Sequence, residues 1–329
     1  MTIPVWIAFL VFIVTMVALD LGVFHRKDSV MSVRESLTWS GVWIGMALLF
    51  NVFIYLLYEN NYEWASLATE QLNGREAASQ YLMGYVLEKT LSLDNIFVIA
   101  MIFSYFRVPL AMQHRVLFWG ILGAVILRGV MIGIGVALIN RFEWITYLFG
   151  AFLFYSAVRM MLLRQETVEP EDNPLVRLAR RWLPMTDRYH GHHFLVRIDG
   201  KLVATPLLLA LLLVESSDVM FAVDSIPAIF AVTRDPFIIF TSNIFAILGL
   251  RSLYFVLAAY MQKFRYLKEA LVFVLAYVGI KMIISNHYHI PDAASMSIIF
   301  GILMVGVLAS IWGAKKDPVP LRSPFDDEQ

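Results

Sequence analysis

The 329-residue chain contains no cysteine, which excludes disulfides, thiolate metal sites and a cysteine nucleophile. A metal would have to bind through oxygen, through imidazole or weakly through methionine sulfur. Charge is also scarce. Only 16% of the residues are Asp, Glu, Lys or Arg and 59% are hydrophobic, against about 25% and 45–50% in soluble domains. That balance describes an integral membrane protein. The apolar run after Met1 has neither a basic n-region nor a small-residue cleavage site, so it reads as a retained first span rather than a signal peptide.

Apolar windows of membrane length predict an all-α polytopic protein with nine transmembrane helices, over 4–24, 38–58, 80–106, 112–138, 141–163, 206–232, 236–260, 267–285 and 294–312. The corresponding organisation is spans 1–5 within 1–163, a cytoplasmic linker over 164–205, spans 6–8 within 206–285, span 9 within 286–314 and a disordered cytoplasmic tail over 315–329. In the linker, 174–183 reads as a short amphipathic helix and 194–203 as a hairpin turning at Asp199-Gly200. Of the 26 Lys and Arg residues, 18 fall in alternate connections and the tail, while only Arg75, Arg141 and Arg234 fall on the opposite side. The positive-inside rule then puts the N-terminus outside and the C-terminus in the cytoplasm.

Two of these spans carry acids: Glu88 and Asp94 in the third, Glu215, Asp218 and Asp224 in the sixth. Each carboxylate at a helix centre costs about 2.5–3.5 kcal/mol, so five cost on the order of 12–17 kcal/mol unless they meet one another, water or a cation. The two acidic stretches are alike. Ser92-Leu-Asp94-Asn-Ile-Phe97 aligns with Ser216-Ser-Asp218-Val-Met-Phe221, and each following span carries an arginine, Arg128 and Arg251. Spans 3–5 and 6–8 therefore read as two three-helix units, which cross the membrane in opposite directions because three is odd. Such inverted repeats place their binding sites at the repeat interface near the midplane, where Asp94 and Asp218 both fall.

Glu215 and Asp218 share a helix face, whereas Asp218 and Asp224, six residues apart, diverge by about 120° on a straight helix. Pro227 removes the hydrogen bond to the Val223 carbonyl and is expected to kink the span beside Asp224. The expected metal ligands are Glu88, Asp94, Asn95, Glu215, Asp218 and Asp224. Ser92, Ser216, Ser225 and Asn243 are auxiliary oxygens, and Asp20 is a gate, ligand or helix-end charge. Lys89, Arg128, Arg251 and Lys281 are assigned to charge balance. Hard oxygen donors suit Mn²⁺, Mg²⁺ or Ca²⁺ rather than copper or zinc. Clustered carboxylates also favour a shared proton, which makes cation-for-proton exchange the expected coupling.

At these residues the chain resembles the TerC family, the tellurium-resistance protein C group of bacterial membrane proteins. The matching pieces are Glu88-Lys-Thr-Leu-Ser-Leu-Asp94-Asn95-Ile-Phe-Val, Glu215-Ser-Ser-Asp218-Val-Met-Phe-Ala-Val-Asp224-Ser-Ile-Pro227-Ala and Thr241-Ser-Asn243-Ile-Phe-Ala-Ile-Leu-Gly-Leu-Arg251. The similarity runs from about Asp20 to Trp312 and looks closest to the Alx branch, the alkaline-induced proteins linked to manganese. The resemblance implies Mn²⁺ as the exported substrate, the bacterial cytoplasmic (inner) membrane as location, the motif acids as metal ligands and membership of the lysine-exporter superfamily.

Other readings stay open at this point. The cargo could be Ca²⁺, Mg²⁺ or Na⁺, since sequence fixes oxygen ligation but not cavity size. A membrane metal-delivery or assembly factor, supplying Mn²⁺ to secreted metalloproteins, is a different class. An intramembrane aspartyl protease is disfavoured, because Leu93-Asp94-Asn95 and Val223-Asp224-Ser225 lack the glycine or tyrosine context it needs, and no enzymatic activity is assigned. The expected partners are a divalent cation and the lipid bilayer, without nucleic acid; oligomeric state is left open.

Overall fold

Prolines and polar caps decide where the helices begin. The computed structural model describes residues 3–22, 33–60, 72–142, 144–162, 173–260, 266–285, 287–288 and 290–316. Its elements are α1 (Ile3–Gly22), α2 (Val33–Glu59), α3 (Gly74–Phe106), α4 (Leu110–Arg141), α5 (Ile145–Leu162), α6 (Pro174–Trp182), β1 (Leu195–Ile198), β2 (Lys201–Ala204), α7 (Pro206–Phe230), α8 (Pro236–Ile247), α9 (Leu250–Tyr260), α10 (Leu267–Ile284) and α11 (Asp292–Lys316). Proline is the first residue of α6, α7 and α8, where its missing N–H goes unused. The third helix starts at Gly74 rather than near 80 because Asn73 and Glu76 close a capping box ahead of it. Asp235 caps α8 by accepting from the N–H groups of Phe237 and Ile238.

Five helices, α2, α4, α5, α7 and α11, are long and apolar enough to cross a bilayer, and α8 with α9 makes a sixth if the bent pair is counted as one span. Large apolar side chains lie on the outside of the bundle, among them Val11, Leu49, Ile126, Phe273 and Val305. A water-facing surface would not tolerate so many, and lipid would. Inside, α3 packs against α7 and α8, α4 against the same two, α2 against α3 and α9, and α5 against α10. The α5–α10 contact is backbone against backbone: a Cβ on Gly150 would come within 2.9 Å of the Gly279 carbonyl, and the converse holds. Rings join α1 and α2 to α8, with Phe50 and Phe245 at 4.6 Å and Phe9 and Phe237 at 5.6 Å between centroids.

One expectation moves. Pro227 lies inside α7, which runs unbroken from Pro206 to Phe230. A proline this near a helix end removes one hydrogen bond without interrupting the helix upstream. The interruption falls instead between α8 and α9, which bend by 44°. Gly249 there has φ +83°, a left-handed conformation that favours glycine, and Trp43 packs so closely that a Cβ on Gly249 would sit 2.8 Å from its Cβ and Cγ.

The linker contains α6 and a two-stranded hairpin, with Asp199 and Gly200 both at positive φ in the turn. It is tied to the bundle: Asn173 Nδ2 donates to Ser216 Oγ of α7 at 2.8 Å, and Tyr189 donates to the Phe106 carbonyl at 2.7 Å. Helix α11 continues through Lys316, beyond the 314 boundary. Residues 317–329 lie outside the described residues, as does the side chain of Asp20.

Candidate cation site

Three helices supply the charged groups. Glu88 sits just under two turns before Asp94 and Asn95 on α3, Asp218 and Asp224 stand on α7, and Arg128 projects from α4. Arg128 is fully buried. Its Nη2 donates to Asp218 Oδ1 at 2.8 Å and its Nε to Asp218 Oδ2 at 3.2 Å, a two-point grip. Its Nη1 donates to the Glu88 carboxylate, which is 2% exposed. The same Nη1 lies 3.4 Å from Ser225 Oγ and 3.5 Å from Asn243 Oδ1. Asn95 Nδ2 adds a 3.4 Å contact to Asp218 Oδ1. One guanidinium therefore bridges carboxylates on α3 and α7.

A cavity of about 290 Å³ opens beside this bridge, lined by Glu88, Asp94, Asn95, Asp224, Ser225 and Arg128. Asp224 Oδ1 accepts from Ser156 Oγ of α5 at 2.7 Å. Two oxygens of lining residues are buried without a hydrogen-bond partner, Glu88 Oε2 and Asn95 Oδ1. Leaving such acceptors unsatisfied costs about 1–3 kcal/mol each, more for a charged one; both oxygens are enclosed by protein rather than open to the cavity. Arg159, Lys268 and the thioethers of Met101 and Met160 share the lining. A second cavity of about 40 Å³ lies on another side of Asn95, against Asp218 and Arg251.

The remaining expected residues are dispersed. Glu215 packs onto α4, where a Cβ on Gly123 would collide with its carboxylate, and it does not line the larger cavity. Ser216 is engaged by Asn173, and Ser92 is buried with its hydroxyl unpartnered. Lys89 Nζ donates to the Ala246 and Leu248 carbonyls at 3.1 and 3.4 Å, supplying donors to the α8–α9 break. Arg251 Nη1 lies 2.8 Å from His114 Nε2. Lys281 pairs with Asp292 at 3.7 Å. Of the four basic residues assigned to charge balance, Arg128 pairs with the motif acids Glu88 and Asp218. Among the described residues, no three His, Asp or Glu side chains are drawn together closely enough to hold a metal as they stand.

Ser156, Arg159, Met160 and Lys268 were not singled out by sequence. Arg159 carried the one usable signal, a lone charge inside an apolar span; the others have ordinary neighbours. Gly123 and His114 are visible only once α4 is packed against α7 and α9.

Residues 73–318 match the model of the integral membrane protein TerC family. A membrane protein of Myxococcus xanthus named STKORF319, described as uncharacterized, is 49% identical over 313 residues, covering 95% of this chain and 93% of that protein. Alx of Escherichia coli K12, described provisionally as a membrane-bound redox modulator, is 47% identical over 312 residues, covering 93% of this chain and 94% of its own length. A membrane protein of Rickettsia bellii is 40% identical over 306 residues, covering 93% and 96%. No solved structure matches.

Proposed function

The chain belongs to the TerC family of integral membrane proteins, and from that premise we propose that it exports Mn²⁺ across the bacterial inner membrane, exchanging the metal for protons at the cavity between α3 and α7. The observation that carries this reading is the cavity itself: Glu88, Asp94 and Asp224 line one space inside a lipid-facing bundle. Six waters occupy roughly 180 Å³ at their liquid share, so a cavity of about 290 Å³ admits a divalent ion with much of its hydration shell. The oxygens are hard donors, and the nearby Met101 and Met160 thioethers bias the site toward a transition metal over Mg²⁺ or Ca²⁺. Protons on the acids replace the departing charge on the return stroke.

Nine spans, with the N-terminus outside, complete the proposal. The helices fall on the nine expected segments when α8 and α9 are taken together. Some of the packing supports an inverted repeat: if α3, α4 and α5 correspond to α7, α8–α9 and α10, then α3–α8 is the counterpart of α7–α4, while α3–α7 and α5–α10 are their own counterparts. The redox description of Alx does not transfer as thiol chemistry, because this chain has no cysteine. In this reading a redox effect follows from the metal carried. The test is Mn²⁺ flux in proteoliposomes with an imposed pH gradient, comparing the parent with Asp94→Asn and Asp224→Asn. Flux should need both acids and the gradient; unchanged flux in both variants defeats the proposal.

A further inference from the structure

We infer that Arg128 is a tethered counter-cation which an incoming divalent ion displaces, so that loading the site hands Asp218 from the guanidinium to the metal. The inference rests on reading the cavity as a cation site, and it concerns what keeps that site from holding its cargo too tightly. Arg128 bridges Glu88 of one three-helix unit and Asp218 of the other. A divalent ion set between those carboxylates would replace that link between the two halves.

Three features distinguish Arg128 from a purely structural ion pair. A structural buried pair is stable when its remaining lone pairs and protons are all matched; here Glu88 Oε2, Asn95 Oδ1 and Asn243 Nδ2 are buried without partners. The guanidinium also borders a cavity of about 290 Å³, although its own surface is covered. Finally, Ser225 Oγ and Asn243 Oδ1 lie at 3.4 and 3.5 Å from Nη1, at the edge of hydrogen-bond reach, and a small swing would let them receive it.

The charges facing Arg128 fix the sign of the effect. Glu88 and Asp218 hold it, Asp94 and Asp224 lie across the same cavity region, and Arg159 and Lys268 stand on the cavity lining. A guanidinium and a divalent ion cannot both lie against Glu88 and Asp218 without strong repulsion at about 4 Å. Arg128 is therefore a competitor built into the chain. Competition lowers the apparent affinity by the fraction of molecules in which the acids are free. When the guanidinium returns, it expels the ion and restores neutrality, which speeds release.

Removing the competitor should tighten binding and slow turnover. A residue needed only to hold the fold would do the reverse, loosening the site. The experiment is calorimetric titration of MnCl₂ into the purified full-length protein and into Arg128→Gln and Arg128→Lys, with thermal melting as a folding control. Net Mn²⁺ efflux and Mn²⁺/Mn²⁺ exchange are followed in proteoliposomes. Arg128→Gln should bind Mn²⁺ at least ten-fold tighter, keep exchange and lose at least ten-fold in net efflux. Arg128→Lys, which keeps the charge but not the two-point grip, should fall between. A folded Arg128→Gln that binds as the parent does, or more weakly, overturns the inference. Should Arg128→Gln fail to fold, the lysine variant decides: tighter binding than the parent supports displacement and weaker binding overturns it. A parent protein that binds none of Mn²⁺, Mg²⁺ or Ca²⁺ overturns the cation reading itself, and this inference with it.

Discussion

Asp224→Asn separates the chemistry of the cavity from the stability of the fold. In the structure Asp224 Oδ1 accepts from Ser156 Oγ at 2.7 Å, and the side chain lines the cavity. An asparagine amide oxygen can take the same hydrogen bond, so the neutral swap keeps the contact and removes only the charge. The Ser156 hydrogen bond, replaced by a similar one, should itself account for less than about 1 kcal/mol of any stability change. The effect on a bound cation is larger. Unit charges 4 Å apart interact by about 4 kcal/mol at an effective dielectric of 20, and a divalent ion doubles that to roughly 8 kcal/mol. Desolvating the carboxylate takes back most of it, and hydrogen bonds to charged groups retain about 1.5–3 kcal/mol net. Asp224→Asn should therefore weaken Mn²⁺ binding by about ten- to a hundred-fold with the melting temperature nearly unchanged. Calorimetry and a melting curve on the same sample decide it. Unaltered affinity in a well-folded variant would refute the ligand role, and a large fall in melting temperature would show that the Asp224 charge supports the fold instead.

Asp218→Asn should behave oppositely: it breaks the two-point pair with the fully buried Arg128, a loss of about 3–5 kcal/mol, seen as a marked fall in melting temperature. Gly133→Ala on α4 meets nothing and should gain about 0.4–1 kcal/mol in thermal melting, whereas Gly123→Ala on the same helix drives a methyl into the Glu215 carboxylate, which must shift, and should gain less or lose. Burial pushes the Tyr189 phenol up to about 12. A raised folded value contributes stability that is complete below the ordinary value of 10.0 and is lost as pH climbs from there through about 12. Tyr189→Phe should accordingly show less loss of stability than the parent between pH 10 and 12, followed by melting at stepped pH; identical pH dependence would contradict this.

The helical segments and the acidic stretches were legible because they break opposite rules. Long apolar runs must be helices in lipid, and Glu88, Asp94, Asp218 and Asp224 stand out against them. The hairpin was legible from Asp199-Gly200, which turn chemistry confines to a few conformations. Placement of the acids was less so. The matching motifs around Asp94 and Asp218 treat the two alike, yet Asp218 is gripped by Arg128 whereas Asp94 lines the larger cavity. A near-symmetric sequence cannot announce that Arg128, one of two buried arginines, grips Asp218, because that depends on packing of α4 against α7. Pro227 points to a kink beside Asp224, but the helix α7 continues through it and the interruption lies between α8 and α9. Gly249 gave no warning of the break it makes, because a glycine within Leu248-Gly249-Leu250 reads equally as a packing residue. Lys89 was misjudged for the same reason: its partners are the carbonyls freed at that unforeseen break.

Anomalous diffraction at the manganese edge, from crystals of the full chain grown with MnCl₂, tests the central claim most directly. One strong peak is expected between α3 and α7, within coordination distance of oxygens from Glu88, Asp94, Asp218 or Asp224. Ordered metal found only on the extramembrane loops, with this cavity holding none, would contradict it.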